Sequence, residues 1–200
     1  MKKFRFAAAL ATVCFVPGLL FAAPETFEVD PVHSFIVFKV RHANLGNAYG
    51  TFNDFKGTIV RDKDAPENSS IQLEIDTNSL DTKNPKRDEH SKSPDFLNVK
   101  QFPTATFKSD SIKKVSDTEF EVAGQMTLHG VTKPVTAKMV QIGEITDKKG
   151  IKKIGGEATF TIKRSEFGMT NMLDALGDEI TLIVAVEAAA KPAAAPAPAQ

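Results

Sequence analysis

Residues 87 to 96, Arg-Asp-Glu-His-Ser-Lys-Ser-Pro-Asp-Phe, are the most chemically loaded stretch of the chain. Carboxylates, a histidine and cations this close together are the groups of acid–base catalysis or metal ligation. They also suit a solvated helix start, with Asp88 and Asp95 in first turns, where negative charge opposes exposed N–H groups. Arg87 and His90 are three apart and share a helical face. They are expected to pair with carboxylates and pin the segment over one end of the fold.

Other chemistries find less support. His33, His42, His90 and His129 are scattered, without the His-x-His or one-turn spacing of a zinc or iron site. No G-x-S-x-G elbow is present, and Gly155-Gly156 lacks the spacing of a phosphate loop. Neither a catalytic residue nor a metal site is expected.

The elements that position these groups read as strands. Apolar and polar residues alternate in "HSFIVFKVRH", "YGTFNDFKGTIV", "SIQLEID", "TATFKSDSI", "TEFEVAGQMTLHG", "KPVTAKMVQIGEI", "GGEATFTIKRSEFG" and "DEITLIVAVEA". The turns between them are mostly short and the long helical patterns of βαβ units are absent, so the sheet should be antiparallel. Eight such strands close into an up-and-down barrel or stack as a two-sheet sandwich, and periodicity alone does not separate the two. Only Leu80 to Thr106 breaks the pattern. Asn84-Pro85 opens it, a short helix is expected from about Lys86 to Ser91, and Ser93-Pro94-Asp95 has the form of a second helix start. A connection this long inside a compact domain is usually functional or a lid.

If the strands close, Ile36, Phe38, Val40, Phe52, Phe107, Phe120, Met126, Leu128, Phe160 and Ile162 share one interior, either a solid core or a cavity wall. His42 lies on the same face as Ile36, Phe38 and Val40. Its imidazole could meet a ligand head group or bond neighbouring backbone.

The ends differ from the middle. Lys2, Lys3 and Arg5 precede an apolar run broken at Pro17-Gly18, and Ala22-Ala23 follow. That is the layout of a secretory signal peptide, residues 1–22, cleaved after Ala22. Without it, 22 basic residues face 25 acidic ones, a net charge of −3 that argues against a nucleic-acid binder. Cys14, the sole cysteine, leaves with the leader, so the mature protein has no disulfide. Residues 23–187 form one domain, and the Ala/Pro-rich residues 188–200 read as a disordered tail.

"DPVHSFIVFKVRH", "GTFNDFKGTI", "RDEHSKSPDFLNVKQFPTATFKS", "GQMTLHGVTKPV" and "KRSEFGM", in this order and spacing, closely resemble the YceI family of bacterial secreted proteins. The resemblance spans about Phe27 to Glu187. It implies an all-β, eight-stranded antiparallel up-and-down lipocalin-like barrel with a short helical insertion between strands 3 and 4. It also implies an apolar interior that holds an amphiphilic lipid: a polyisoprenoid, an isoprenoid quinone or a fatty-acid derivative. The ten apolar residues above would then bind the chain, and His42, Arg87, Asp88 and His90 would stand at the head group or cavity mouth. The implied protein is a non-catalytic periplasmic or secreted carrier, with roles in transport or stress response. No cofactor is required beyond the bound lipid. A homodimer and transient contacts with membrane or respiratory proteins are the expected partners, and nucleic acid is not among them. Ser91 stands where the family often has leucine, and the Ala/Pro tail lies outside the family pattern.

Overall fold

The structure, a computed structural model, describes residues 23–191. Residues 1–22, the expected leader, and residues 192–200 lie outside the described residues. Eleven strand segments form one antiparallel sheet that closes on itself. The hydrogen-bonded order resolves them into eight barrel strands, because three of the eight are interrupted. β1 (Glu25–Val29) and β2 (Phe35–His42) both lie along β11 (Leu176–Ala190). β3 (Gly46–Phe52) and β4 (Phe55–Arg61) continue one another along β2 and β1. β5 (Ser70–Asp76) and β6 (Leu80–Asp81) are separated by a 3₁₀ turn, in which the Asp76 carboxylate accepts from the Asn78 amide. β7 (Thr104–Lys114), β8 (Glu119–Leu128), β9 (Val131–Thr146) and β10 (Lys152–Lys163) then follow in chain order. β11 closes the ring against β1 and β2. A two-sheet sandwich is thereby excluded. The helical insertion falls between the third and fourth barrel strands, as the resemblance implies.

The expected alternation holds on β2 and β8, where Val122, Met126 and Leu128 are buried between exposed Glu119, Glu121 and Gln125. His129 and Gly130, at φ +51° and +73°, make the two-residue hairpin between β8 and β9, the left-handed pair that matches strand twist.

Three boundaries move. β1 was not anticipated, because its apolar pattern is only Phe27 and Val29, yet Phe27 is completely buried. β7 ends at Lys114, two residues past the expected stretch, and an irregularity between Ser109 and Ser111 inserts a residue, so the alternation slips and Ile112 faces inward again. Residues 188–190, expected in the tail, belong to β11. Ala188 is buried, residues 188–190 pair with β1, and the Lys191 amide donates to the Thr26 carbonyl. Small side chains there lowered the strand signal without removing the backbone partners.

The insertion carries α1 (Pro85–Lys92), one residue longer at each end than expected. Asn84 is its N-cap, accepting from the Arg87 amide at 3.1 Å, and Pro85 occupies the first turn. α1 buries no residue, so packing does not hold it. The second helix does not form. The Leu97 amide bonds the Ser91 carbonyl and the Val99 amide bonds the Lys92 carbonyl. With Asn98 at φ +46°, these bonds fold the chain back on α1 as turns. The fold-back drives Leu97 and Val99 into a buried cluster with Leu80, Met126, Leu128, Phe167 and Met169. The insertion covers one end of the barrel, with Leu97 and Val99 packed in this cluster and Arg87 and His90 reaching the cavity mouth.

Candidate ligand cavity

A cavity of about 1050 Å³ runs the length of the barrel. All ten apolar residues singled out in the sequence line it: Ile36, Phe38 and Val40 on β2, Phe52 on β3, Phe107 on β7, Phe120, Met126 and Leu128 on β8, and Phe160 and Ile162 on β10. The Phe38 and Phe52 rings meet at 5.8 Å. Leu73, Met139 and Val184 extend the same wall without having been anticipated. They follow from the same alternation, once the strands carrying them are known to close.

The polar lining gathers at the two ends. At the plugged end, His42, Arg87 and His90 line the cavity, close to Phe96 and Leu45. Asp88 does not: its carboxylate turns away to accept from the amide and the hydroxyl of Thr82. Arg87 also departs from expectation, because its partner is not a carboxylate. Its Nε donates to Thr82 Oγ1 at 2.8 Å and its Nη2 to the Thr82 carbonyl at 2.6 Å. Buried Thr82 is therefore the peg on which α1 hangs. The Thr82 hydroxyl, against the opposing pull of burial, holds the Asp88 carboxyl below the usual carboxylate range. His90 does find a carboxylate, Asp95, at 3.1 Å, and its ring stands edge-on to Phe96.

The remaining histidines stay apart. His33 bonds Asp30 at an exposed turn, and His129 Nδ1 donates to the Phe167 carbonyl at 2.9 Å. Among the described residues, no group of three or more His, Cys, Asp or Glu side chains converges as a metal would require.

Arg164 was missed. It is 1 % exposed, and its guanidinium donates to four carbonyls, those of Gly177, Met169, Asn171 and Leu176, at 2.7 to 3.0 Å. It thereby wraps the loop between β10 and β11 around itself at the cavity rim, with Phe96 5.9 Å away. Burial pulls its pKa down, opposed by the Asp178 carboxylate. "KRSEFGM" was the available signal, but a lone Arg in a motif does not reveal a cage built from a loop further along the chain.

At the opposite end, Arg61, Lys63, Gln141 and Glu144 line the cavity. Arg61 Nη1 lies 3.0 Å from Glu144 Oε2, and Lys63 Nζ is 3.5 Å from the same oxygen. The Arg61 hydrogen bond, again against burial, holds the Glu144 carboxyl below its ordinary range.

This architecture has relatives. Residues 27–188 match the family described as the YceI-like domain. Protein YceI of Salmonella newport (strain SL254) is 40% identical over 187 residues, covering 94% of this chain and 97% of that protein. The crystal structure of the Campylobacter jejuni YceI protein aligns with a TM-score of 0.70 at 27% identity, over 96% of this chain and 99% of that one. A polyisoprenoid binding domain from Saccharophagus degradans, implicated in plant cell wall breakdown, shares the fold: TM-score 0.61 at 14% identity, covering 82% and 98%. The closed eight-stranded barrel and the extent of these matches agree, and the chain belongs to the YceI-like family.

Proposed function

We propose that this protein is a non-catalytic carrier of an amphiphilic long-chain lipid: a polyisoprenoid, an isoprenoid quinone or a fatty-acid derivative. The observation that carries the reading is the continuous apolar cavity, whose polar lining gathers at its ends. From Ile154 to Ile162 the lining follows β10, which at the usual rise and barrel tilt is about 20 Å along the axis. One leaflet of a bilayer is about 15 Å of hydrocarbon. The cavity therefore suits a chain at least as long as an ordinary acyl tail. Each buried CH₂-sized group contributes about 0.8 kcal/mol, so a dozen carbons give a gross term of about 10 kcal/mol before the costs of association. Few head-group contacts are then needed.

The name of the Saccharophagus domain supports a polyisoprenoid-type ligand. The charges of the 87–95 segment favour a carrier over an enzyme, because Arg87, Asp88, His90 and Asp95 are already engaged in holding the insertion. The leader-like N-terminus supports export to the periplasm or beyond. Native purification followed by lipid extraction and mass spectrometry tests the reading. A co-purifying long-chain lipid is expected. An empty protein that also refuses added quinones and fatty acids would sink it.

A further inference from the structure

β4 and β9 are not neighbours. In the closed ring, four strand-to-strand steps separate them in either direction, so they face each other across the full diameter of the barrel. Eight strands at the usual spacing and tilt give a backbone diameter of roughly 16 Å. Arg61, the last residue of β4, and Glu144 of β9 nevertheless meet at 3.0 Å. The Arg61 Nη2 also reaches Gln141 Oε1 at 3.5 Å, and Lys63 joins the Glu144 carboxylate. The two paired side chains are 18% and 28% exposed, so the mouth of the barrel partly shields them.

Local geometry aims both partners inward. Arg61 shares its face of β4 with Ile59, which also lines the cavity. On β9, Ala137, Met139 and Gln141 line it in simple alternation. Continued unbroken, that alternation would turn Glu144 outward. Opposite β10, however, Gly155 pairs with Gly143 while Gly156 pairs with Gln141, so Ile142 is an extra residue. The bulge shifts the phase by one and returns Glu144 to the interior, the usual way a bulge re-aims a side chain. Ile142 is left 72% exposed, a poor place for an isoleucine if the bulge had no other consequence.

We infer that the Arg61–Glu144 ion pair is a chain-length stop: a polar strap across the far mouth of the barrel that ends the apolar tunnel and limits how long a hydrocarbon chain can be enclosed. A methyl-terminated chain reaching the strap would have to desolvate or break a charge-assisted pair, and an apolar terminus offers nothing in return. The plugged end, with Leu97 and Val99, and the strapped end thus close the tunnel by different chemistries.

This inference rests on the carrier reading. The test uses the full mature chain, delipidated, with a ladder of linear isoprenoid alcohols: farnesol, geranylgeraniol, solanesol and decaprenol. Binding is read by native mass spectrometry and by displacement of a fluorescent fatty acid. In the wild type, affinity should rise with length and then fall at a cutoff. Arg61→Ala and Glu144→Ala should bind chains beyond that cutoff at least about tenfold more tightly, with little change for farnesol. The exchanged pair, Arg61→Glu with Glu144→Arg, should restore the cutoff, and the isosteric Glu144→Gln covers the case in which alanine unfolds the barrel. A cutoff unchanged in the folded variants overturns the stop while the carrier reading stands. A wild type that binds neither the fluorescent fatty acid, nor a quinone, nor an alcohol of any length removes both.

Discussion

Thr82 shows how much one side chain carries. Its hydroxyl and its backbone together satisfy both Arg87 and Asp88, the two charged residues that hold an otherwise unpacked helix. Thr82→Val keeps the shape and removes the hydroxyl, leaving Arg87 Nε and one carboxylate bond unmade. The expected loss is about 1 to 3 kcal/mol, read as a lower urea midpoint with hydrogen-exchange protection lost first in 84–99. Unchanged protection across that segment would show that α1 is held elsewhere. Arg164 is a larger case. Arg164→Met strands four carbonyls around an apolar side chain, which at the usual penalty for unmet buried groups costs about 3 kcal/mol or more. A change in unfolding free energy within experimental scatter would rule out the cage as a structural element.

At the scale of the element, the insertion has a pH dependence with a definite sign. Thr82 holds Asp88 below the ordinary carboxylate range. The unfolded group therefore binds its proton more readily than the folded one. The stabilisation is complete above the unfolded carboxylate's pKa and is lost as pH falls through the folded value. The Thr82 amide resonance should follow that titration, with a midpoint below that of a model aspartate. A midpoint at the ordinary value would contradict the anchor. The plug makes a separate prediction. Leu97→Ala leaves a cavity in the cluster with Leu128 and Met169, at a cost of about 2 to 5 kcal/mol, and should speed lipid release measured by transfer to acceptor vesicles. Release as slow as in the wild type would place the exit elsewhere. The bulge on β9 is a third element with a function of its own: deleting Ile142 alone leaves Glu144 two positions from Gln141 and facing inward, so the cutoff should persist, whereas deleting Ile142 and Gly143 together should turn Glu144 outward and abolish the cutoff without touching either charge.

For the whole molecule, a ligand that binds only the closed barrel must stabilise it. At a free concentration about a hundredfold above Kd, the gain is about 2.7 kcal/mol. Delipidated protein should therefore melt below the loaded form, and adding a long isoprenoid alcohol should restore the melting temperature. Identical melting curves for loaded and empty protein would argue against a ligand inside the barrel.

Strand identity and facing were legible in the sequence because both are local. Side chains alternate at period two, so Ile36, Phe38 and Val40 declare a common face wherever the strand ends up. Asn84-Pro85 likewise announces a helix start from neighbouring residues alone. Legibility failed where an inserted residue broke the period, at Asp110 and Ile142, and where strand pairing came from small residues, at Ala188 to Ala190. Closure was different in kind. Whether the apolar faces made a solid core, a sandwich or a tunnel depended on β11 meeting β1 and β2, a pairing between the two ends of the domain. Only the closed ring brings Arg61 opposite Glu144 and packs Leu97 and Val99 against Leu128 and Phe167. Those contacts join residues that no local pattern relates, so the sequence by itself determined the wall of the cavity, and the tertiary structure decided how its ends are shut.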